Sequence, residues 1–193
     1  MDRRLLIVAY AAAWFFLAAI AFADAGTPGQ EPTRDTISDL VHGPRGWAVE
    51  AAFVLHGLGD VVLGLALMRA AAGRQAWWGG ALVAANGVAL ALLAAFPVNP
   101  PGHETWVGTA HLVLASVAFI GLGAGIQATT WQRRRGRDVL NVLAVVAGAA
   151  LVWFAAVLWG DLPGLGLAER AVAVANTTWV LAVTRRLWVG RPI

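Results

Sequence analysis

The chain has 193 residues and a formal net charge of +3, with 59% hydrophobic and only 13% charged residues, against about 25% charged in soluble domains. It has no cysteine, which excludes disulfides, thiol relays and thiolate metal sites. It has no lysine either, since all 14 basic residues are arginine, so a Schiff base to retinal or pyridoxal cannot form.

Six long apolar stretches follow one another, at 5–24, 47–69, 76–96, 105–130, 139–160 and 166–188. Each is near the ~20 residues that an α-helix needs to cross a ~30 Å hydrocarbon layer. The expected fold is all-α: a polytopic membrane protein, a six-transmembrane-helix bundle in one domain spanning 1–193. No segment outside the stretches is long enough to bury its own core.

Arginine orients the stretches. Arg3 and Arg4 precede the first, Arg69 and Arg74 lie between the second and third, Arg133, Arg134, Arg135 and Arg137 between the fourth and fifth, and Arg185, Arg186 and Arg191 follow the sixth. Only Arg34, Arg45 and Arg170 fall on the other side. Short arginine-rich loops stay cytoplasmic, so both termini are expected on the cytoplasmic side of a multi-pass cell-membrane protein. The pI near 10.9 then reflects these flanks and their contact with anionic headgroups, and no nucleic-acid partner is expected.

Asp2-Arg3-Arg4 and Ala21-Phe22-Ala23 around the first stretch imitate a signal peptide. The apolar run exceeds the ~7–15 residues usual for one, so a retained helix is expected. The connection at 25–46 is the long one, rich in Gly and Pro, with Thr36-Ile37-Ser38-Asp39-Leu40 in its middle as a candidate interfacial helix. The second outer connection, Pro97 to His103, is turn-forming. Trp47, Trp106 and Trp159 mark the outer interface and Trp77, Trp78, Trp131 and Trp188 the inner one. Trp14, Trp153 and Trp179 lie deeper. Glycines such as Gly57, Gly64, Gly80 and Gly87 mark close helix packing.

Polar residues inside a membrane are costly and become site candidates. His56 and Asp60 are four apart on one face of the second stretch, roughly 13 Å and 20 Å from its outer end, with Glu50 one turn in. Glu104 and His111, seven apart, share a face of the fourth, His111 roughly 10 Å deep. Asn86 lies in the third stretch; Glu169, Arg170 and Asn176 lie in the sixth. Asp60 and Asn86 lie near the middle and the others in the outer half, which predicts a polar cavity capped by the loop carrying Ser38, Asp39 and His42. Arg170 is expected to pair with Asp39 and pin that loop, with Ser38 or Thr36 capping a short loop helix.

Several segments resemble the bacterial domain-of-unknown-function-998 family: Arg34-Asp35-Thr36-Ile37-Ser38-Asp39-Leu40, Phe96-Pro97-Val98-Asn99-Pro100, His111, and Gly166-Leu167-Ala168-Glu169-Arg170. The resemblance spans nearly the whole chain and implies a six-helix membrane protein without an assigned reaction. Many members would show Asp where this chain has Asn99.

Three functions fit these residues. The first is binding or chemical processing of a lipid or prenyl substrate. His56 and His111 would be bases or ligands of a divalent metal such as Zn²⁺, Asp60 a ligand or orienter, and Ser38 or water the nucleophile. A metal-free form is prenyl cyclisation, with Asp60 or Glu50 as acid and Trp153 and Trp179 facing the cation. The second is non-catalytic binding or transport of a lipid or small molecule. The third is haem ligation by His56 and His111. Against all three stands simple packing, in which these groups hydrogen-bond one another and fix the helices.

Overall fold

The computed structural model describes residues 3–100, 102–130 and 138–190. Trp131, Arg133, Arg134, Arg135, Arg137 and Arg191 lie outside them. Among the described residues there are six α-helices, one short 3-10 helix and no strand. The α-helices are α1 (Arg3–Asp24), α2 (Gly46–Ala70), α3 (Arg74–Leu93), α4 (Trp106–Thr130), α5 (Val139–Trp159) and α6 (Leu165–Trp188). The 3-10 helix, Ser38–His42, lies in the connection between α1 and α2.

Helix ends follow local chemistry. Asp138 caps α5 by accepting from the Leu140 amide at 3.0 Å. Its carboxylate also holds the Arg186 guanidinium bidentately, tying the starts of α5 and the end of α6 together. Gly164 begins α6 at φ +95°, a left-handed turn that suits glycine. The third stretch ends as helix at Leu93, three residues short of the expected 96, because the chain turns toward Pro97.

The helices pack as a closed ring in chain order, each on the next, with α6 returning to α1. The α2–α3 seam is the closest and the α4–α5 seam the loosest of the consecutive ones. Glycine explains the close seam. A Cβ at Gly57 would meet the Gly87 carbonyl at 2.5 Å and one at Gly87 would meet the Gly57 carbonyl at 2.4 Å. Gly64 and Gly80 repeat the arrangement one step along. Two apolar clusters fill the ring. One surrounds Trp179, Leu63, Val83 and Ile126; the other, under the long loop, surrounds Phe16, Leu40, Val49 and Phe53.

Five helices, α1 to α5, are long and apolar enough to cross a membrane. The sixth is as long but carries Glu169, Arg170, Asn176, Thr177, Thr184, Arg185 and Arg186. Part of this polar set is turned inward: Glu169, Asn176, Thr177 and Thr184 are all buried. The most apolar outer surface is on α5, where Val142, Val145 and Val152 are exposed. In water so large an apolar surface would drive association. In lipid it needs no cover, since the helical backbone satisfies its own hydrogen bonds. The chain thus has the build of a multi-pass membrane protein.

Candidate functional site

The loop before α2 folds down over one end of the ring, and the start of α6 holds it there. The amides of Gly166 and Leu167 donate to the carbonyls of Arg34 and Thr33, both at 3.2 Å. Glu169 accepts from the Ile37 amide at 2.6 Å. Arg170 donates to the Pro32 carbonyl at 3.0 Å and the Asp35 carbonyl at 2.6 Å. Gly166 has to be glycine here, because a Cβ would meet the Asp35 carbonyl at 2.2 Å. On the far side His42 bonds the Val98 carbonyl at 3.0 Å.

Arg170 does not pair with Asp39. Its carboxylate partner is Asp24, at the end of α1, held bidentately at 3.1 and 2.6 Å. Asp39 is occupied locally: it accepts from the Thr36 amide at 2.7 Å while its own amide donates to the Thr36 hydroxyl at 3.2 Å. This reciprocal pair braces the approach to the 3-10 helix. The cap position is Ile37, with no side-chain cap, so neither Ser38 nor Thr36 is the expected cap of the helix. In the exposed turn before it, hydrogen bonds from the Arg34 guanidinium and then the Glu31 amide hold the Asp35 carboxyl below the usual carboxylate range.

Ser38 has a different partner. Its hydroxyl lies 3.0 Å from His111 Nε2, and His111 Nδ1 lies 2.7 Å from the Phe96 carbonyl. A carbonyl only accepts, so Nδ1 carries the proton; in the neutral ring Nε2 is then the acceptor and Ser38 donates to it. Ser38 and His111 are both buried. Asn99 steadies the turn that carries Phe96. It accepts from the Thr105 hydroxyl at 2.7 Å and is wedged against Gly108, where a Cβ would meet its side chain at 2.0 Å. The Asn99 amide thus braces the start of α4.

His56 and Asp60 form a separate group deeper in the ring. Asn86 of α3 donates to Asp60 at 2.6 Å, which ties α2 to α3. His56 Nε2 lies 3.4 Å from the Thr177 hydroxyl, and its Nδ1 lies 3.8 Å from Asp60, too far for a hydrogen bond. The Phe16 ring sits 4.7 Å from the imidazole. The structure therefore does not assemble the His56–Asp60–His111 metal triad, and among the described residues no three His, Asp or Glu side chains stand together as a metal site. Both ring nitrogens of His111 are already engaged, so haem ligation by the His56 and His111 pair would require breaking one of those bonds.

Two cavities adjoin these groups. A small one of about 50 Å³ is lined by His56, Asn86, Asn176, Thr177 and Glu169. A larger cleft of about 480 Å³ lies along the loose α4–α5 seam, within the ~300–1,000 Å³ of small-ligand sites. Its walls are Leu112, Ile120, Val152, Phe154 and Leu158, and its loop end is Thr36, Ser38, His111 and Glu169. Leu112, Ile120, Val152 and Trp159 on its rim are exposed on the outer face of the ring, so the cleft opens sideways. Ser38, Ala115, Phe119 and Glu169 belong to both cavities and form the partition between them.

The other candidates are placed differently. Glu104 precedes α4, is exposed and lines neither cavity, because α4 starts only at Trp106. Glu50 is half-buried and lines neither. Trp153 is 43% exposed on the outside of α5, and Trp179 is locked in the apolar core, so neither lines either of these cavities. Asn176 faces the small cavity with its carbonyl oxygen unpartnered. Arg170 clamps the loop rather than lining a cavity. The Phe96 carbonyl, Asp24 and Thr177 are working partners that no pattern of residue types announced.

The segments that carry the resemblance meet in one place. Arg34 to Leu40 lies against Gly166 to Arg170, and the Phe96 carbonyl reaches the first of these segments through His111 and Ser38. The family profile described as "Protein of unknown function (DUF998)" matches residues 10–186. The chain belongs to the DUF998 family. No curated protein and no solved structure matches it. In this DUF998 protein those segments pack together at the loop end of the ring, around the Ser38–His111 pair.

Proposed function

We propose that this DUF998 protein is a six-span membrane protein, with both termini in the cytoplasm, that binds a lipid chain in the α4–α5 cleft and presents the lipid's polar end to Ser38, His111 and Glu169. The observation that carries the reading is the cleft itself: apolar walls, an opening on the lipid-facing side and a polar end under a pinned loop. A soluble ligand would need a mouth toward water; an acyl or prenyl tail enters from the bilayer. Within the bilayer no hydrophobic driving force separates tail from groove, so binding rests on van der Waals packing along the apolar walls and on polar contacts at the loop end. The sixth span is α6, whose Glu169, Asn176, Thr177 and Thr184 are buried and so need not meet hydrocarbon.

Two experiments test this. The chain has no cysteine, so single cysteines report topology on a clean background. A cysteine at Thr33 should be labelled from outside intact cells by a membrane-impermeant maleimide, and one at Arg134 should be labelled only after lysis. The reverse pattern would overturn the orientation. For the cleft, Ala155→Trp fills it from α5. Native mass spectrometry of the purified protein should show retained lipid, reduced about tenfold or more in the tryptophan variant at unchanged thermal stability, a loss of about 1.4 kcal/mol of affinity. Equal retention in both would remove the cleft from the reading.

A further inference from the structure

We infer that Ser38 is a nucleophile toward carboxylic esters of membrane lipids, with His111 as its base; this rests on the reading of the cleft as a lipid site. The geometry is that of an activated hydroxyl: nucleophile and base within hydrogen-bond reach, and the base oriented by a third group. Ser38 Oγ lies 3.0 Å from His111 Nε2, and the Phe96 carbonyl, 2.7 Å from Nδ1, fixes the tautomer that leaves Nε2 free to take a proton. A backbone carbonyl here fills the orienting role that a side chain fills in other constellations.

Packing alone does not account for this pair. The loop is already fixed by Glu169, Arg170, the amides of Gly166 and Leu167, and His42. Ser38 is a wall of the cleft, next to the end where a bound lipid would carry its ester. The chain contains just two serines, Ser38 and Ser116, and both line this cleft. Ser116 spends its hydroxyl on the Leu112 carbonyl of its own helix at 2.8 Å, without an imidazole partner, and is a built-in control.

The step balances with water as the only co-reactant. Ser38 Oγ bonds to the ester carbonyl carbon while its proton passes to His111 Nε2. The ester C–O bond breaks, and the departing alcohol oxygen takes that proton. A water then attacks the acyl-serine; His111 accepts its proton and returns it to Ser38 Oγ as the fatty acid leaves.

The test uses the full chain in lipid nanodiscs and a long-chain alkyl fluorophosphonate, which forms a stable adduct with an activated serine. The expected result is a single adduct that peptide mapping places on Ser38, with none on Ser116. In His111→Ala the labelling rate should fall about 10²-fold or more, the usual range for loss of a general base. Mapping is done on the unaltered protein, so it does not depend on a Ser38 variant that folds. Native mass spectra of the same samples separate the two layers of the argument. Lipid retained without a Ser38 adduct overturns the nucleophile and leaves the binding site. Labelling of Ser38 by a short soluble fluorophosphonate but not by the long-chain one, with no lipid retained, overturns the lipid ester as substrate. Labelling of Ser38 at an equal rate in His111→Ala overturns the base.

Discussion

Gly57→Leu or Gly87→Leu should leave little folded protein to purify. At this crossing each helix lies against the other's backbone: an added Cβ at Gly57 meets the Gly87 carbonyl at 2.5 Å and the Ala91 amide at 2.7 Å. At Gly87 it meets the Gly57 carbonyl at 2.4 Å and the Val61 amide at 2.6 Å. Backbone atoms cannot swing aside as a side-chain tip can, so α2 and α3 must separate. Overpacking a core costs about 1–3 kcal/mol when neighbours can adjust; here alanine should cost about that much and leucine more. The separation would also pull Asn86 away from Asp60, which adds the loss of a buried hydrogen bond. Gly121 is the control. Its nearest neighbour would be 3.6 Å from an added Cβ, so Gly121→Ala should leave the melting temperature unchanged or slightly raised. Thermal unfolding in detergent, followed by monodisperse elution, distinguishes the three variants.

Arg170→Ala should release the loop at 25–46. The guanidinium joins three pieces of chain: Asp24 at the end of α1, the carbonyls of Pro32 and Asp35 in the loop, and the Gly166 carbonyl of its own helix. Its removal leaves the Asp24 carboxylate and two loop carbonyls without their donor. Breaking a fully buried pair costs about 3–5 kcal/mol. The Arg170 and Asp24 side chains here are 13% and 19% exposed, so about 2–3 kcal/mol is expected after solvent screening. That is enough to open the loop while the ring stays assembled. Limited proteolysis should cut the variant within 25–46 at a rate about tenfold or more above the parent, with lipid retention falling in parallel. A loop cut equally fast in both proteins would show that Arg170 does not hold it. Arg170→Lys should rescue only in part, since an ammonium cannot fork onto Asp24 while reaching two loop carbonyls.

The helices were legible because lipid solvation imposes a simple rule on composition and length, and the arginines and prolines punctuate it. Observed and expected ends differ by at most three residues, the largest gap being at Leu93. The candidate site was legible only as a set of residue types. The i, i+4 spacing put His56 and Asp60 side by side on α2, and Ser38, His111 and Glu169 do share one cleft. The pairings were not legible. Asp39 lost Arg170 to Asp24 because Thr36, three residues before Asp39, offers it two short bonds, and because ring closure brings α1 against α6. No single loop sequence contains that second fact. His111 found a backbone carbonyl, which every residue has and no pattern distinguishes. Glu104 looked like the first turn of α4, but the turn-forming run from Pro97 carries on to Thr105. Deep tryptophans read as ligand walls because burial and cavity lining are indistinguishable in sequence: Trp179 fills the core and Trp153 faces outward.

The claim that the α4–α5 cleft seats a lipid is tested most directly by an experimental density map of the protein in a nanodisc. The account predicts a tail-shaped density lying between Leu112 and Ile120 on one side and Val152 and Leu158 on the other. Its polar end should come within hydrogen-bond reach of Ser38 or Glu169. A map in which Phe119 and Phe154, whose rings now lie 4.9 Å apart, close the seam up to the loop, with lipid density only on the outer surface, would contradict it.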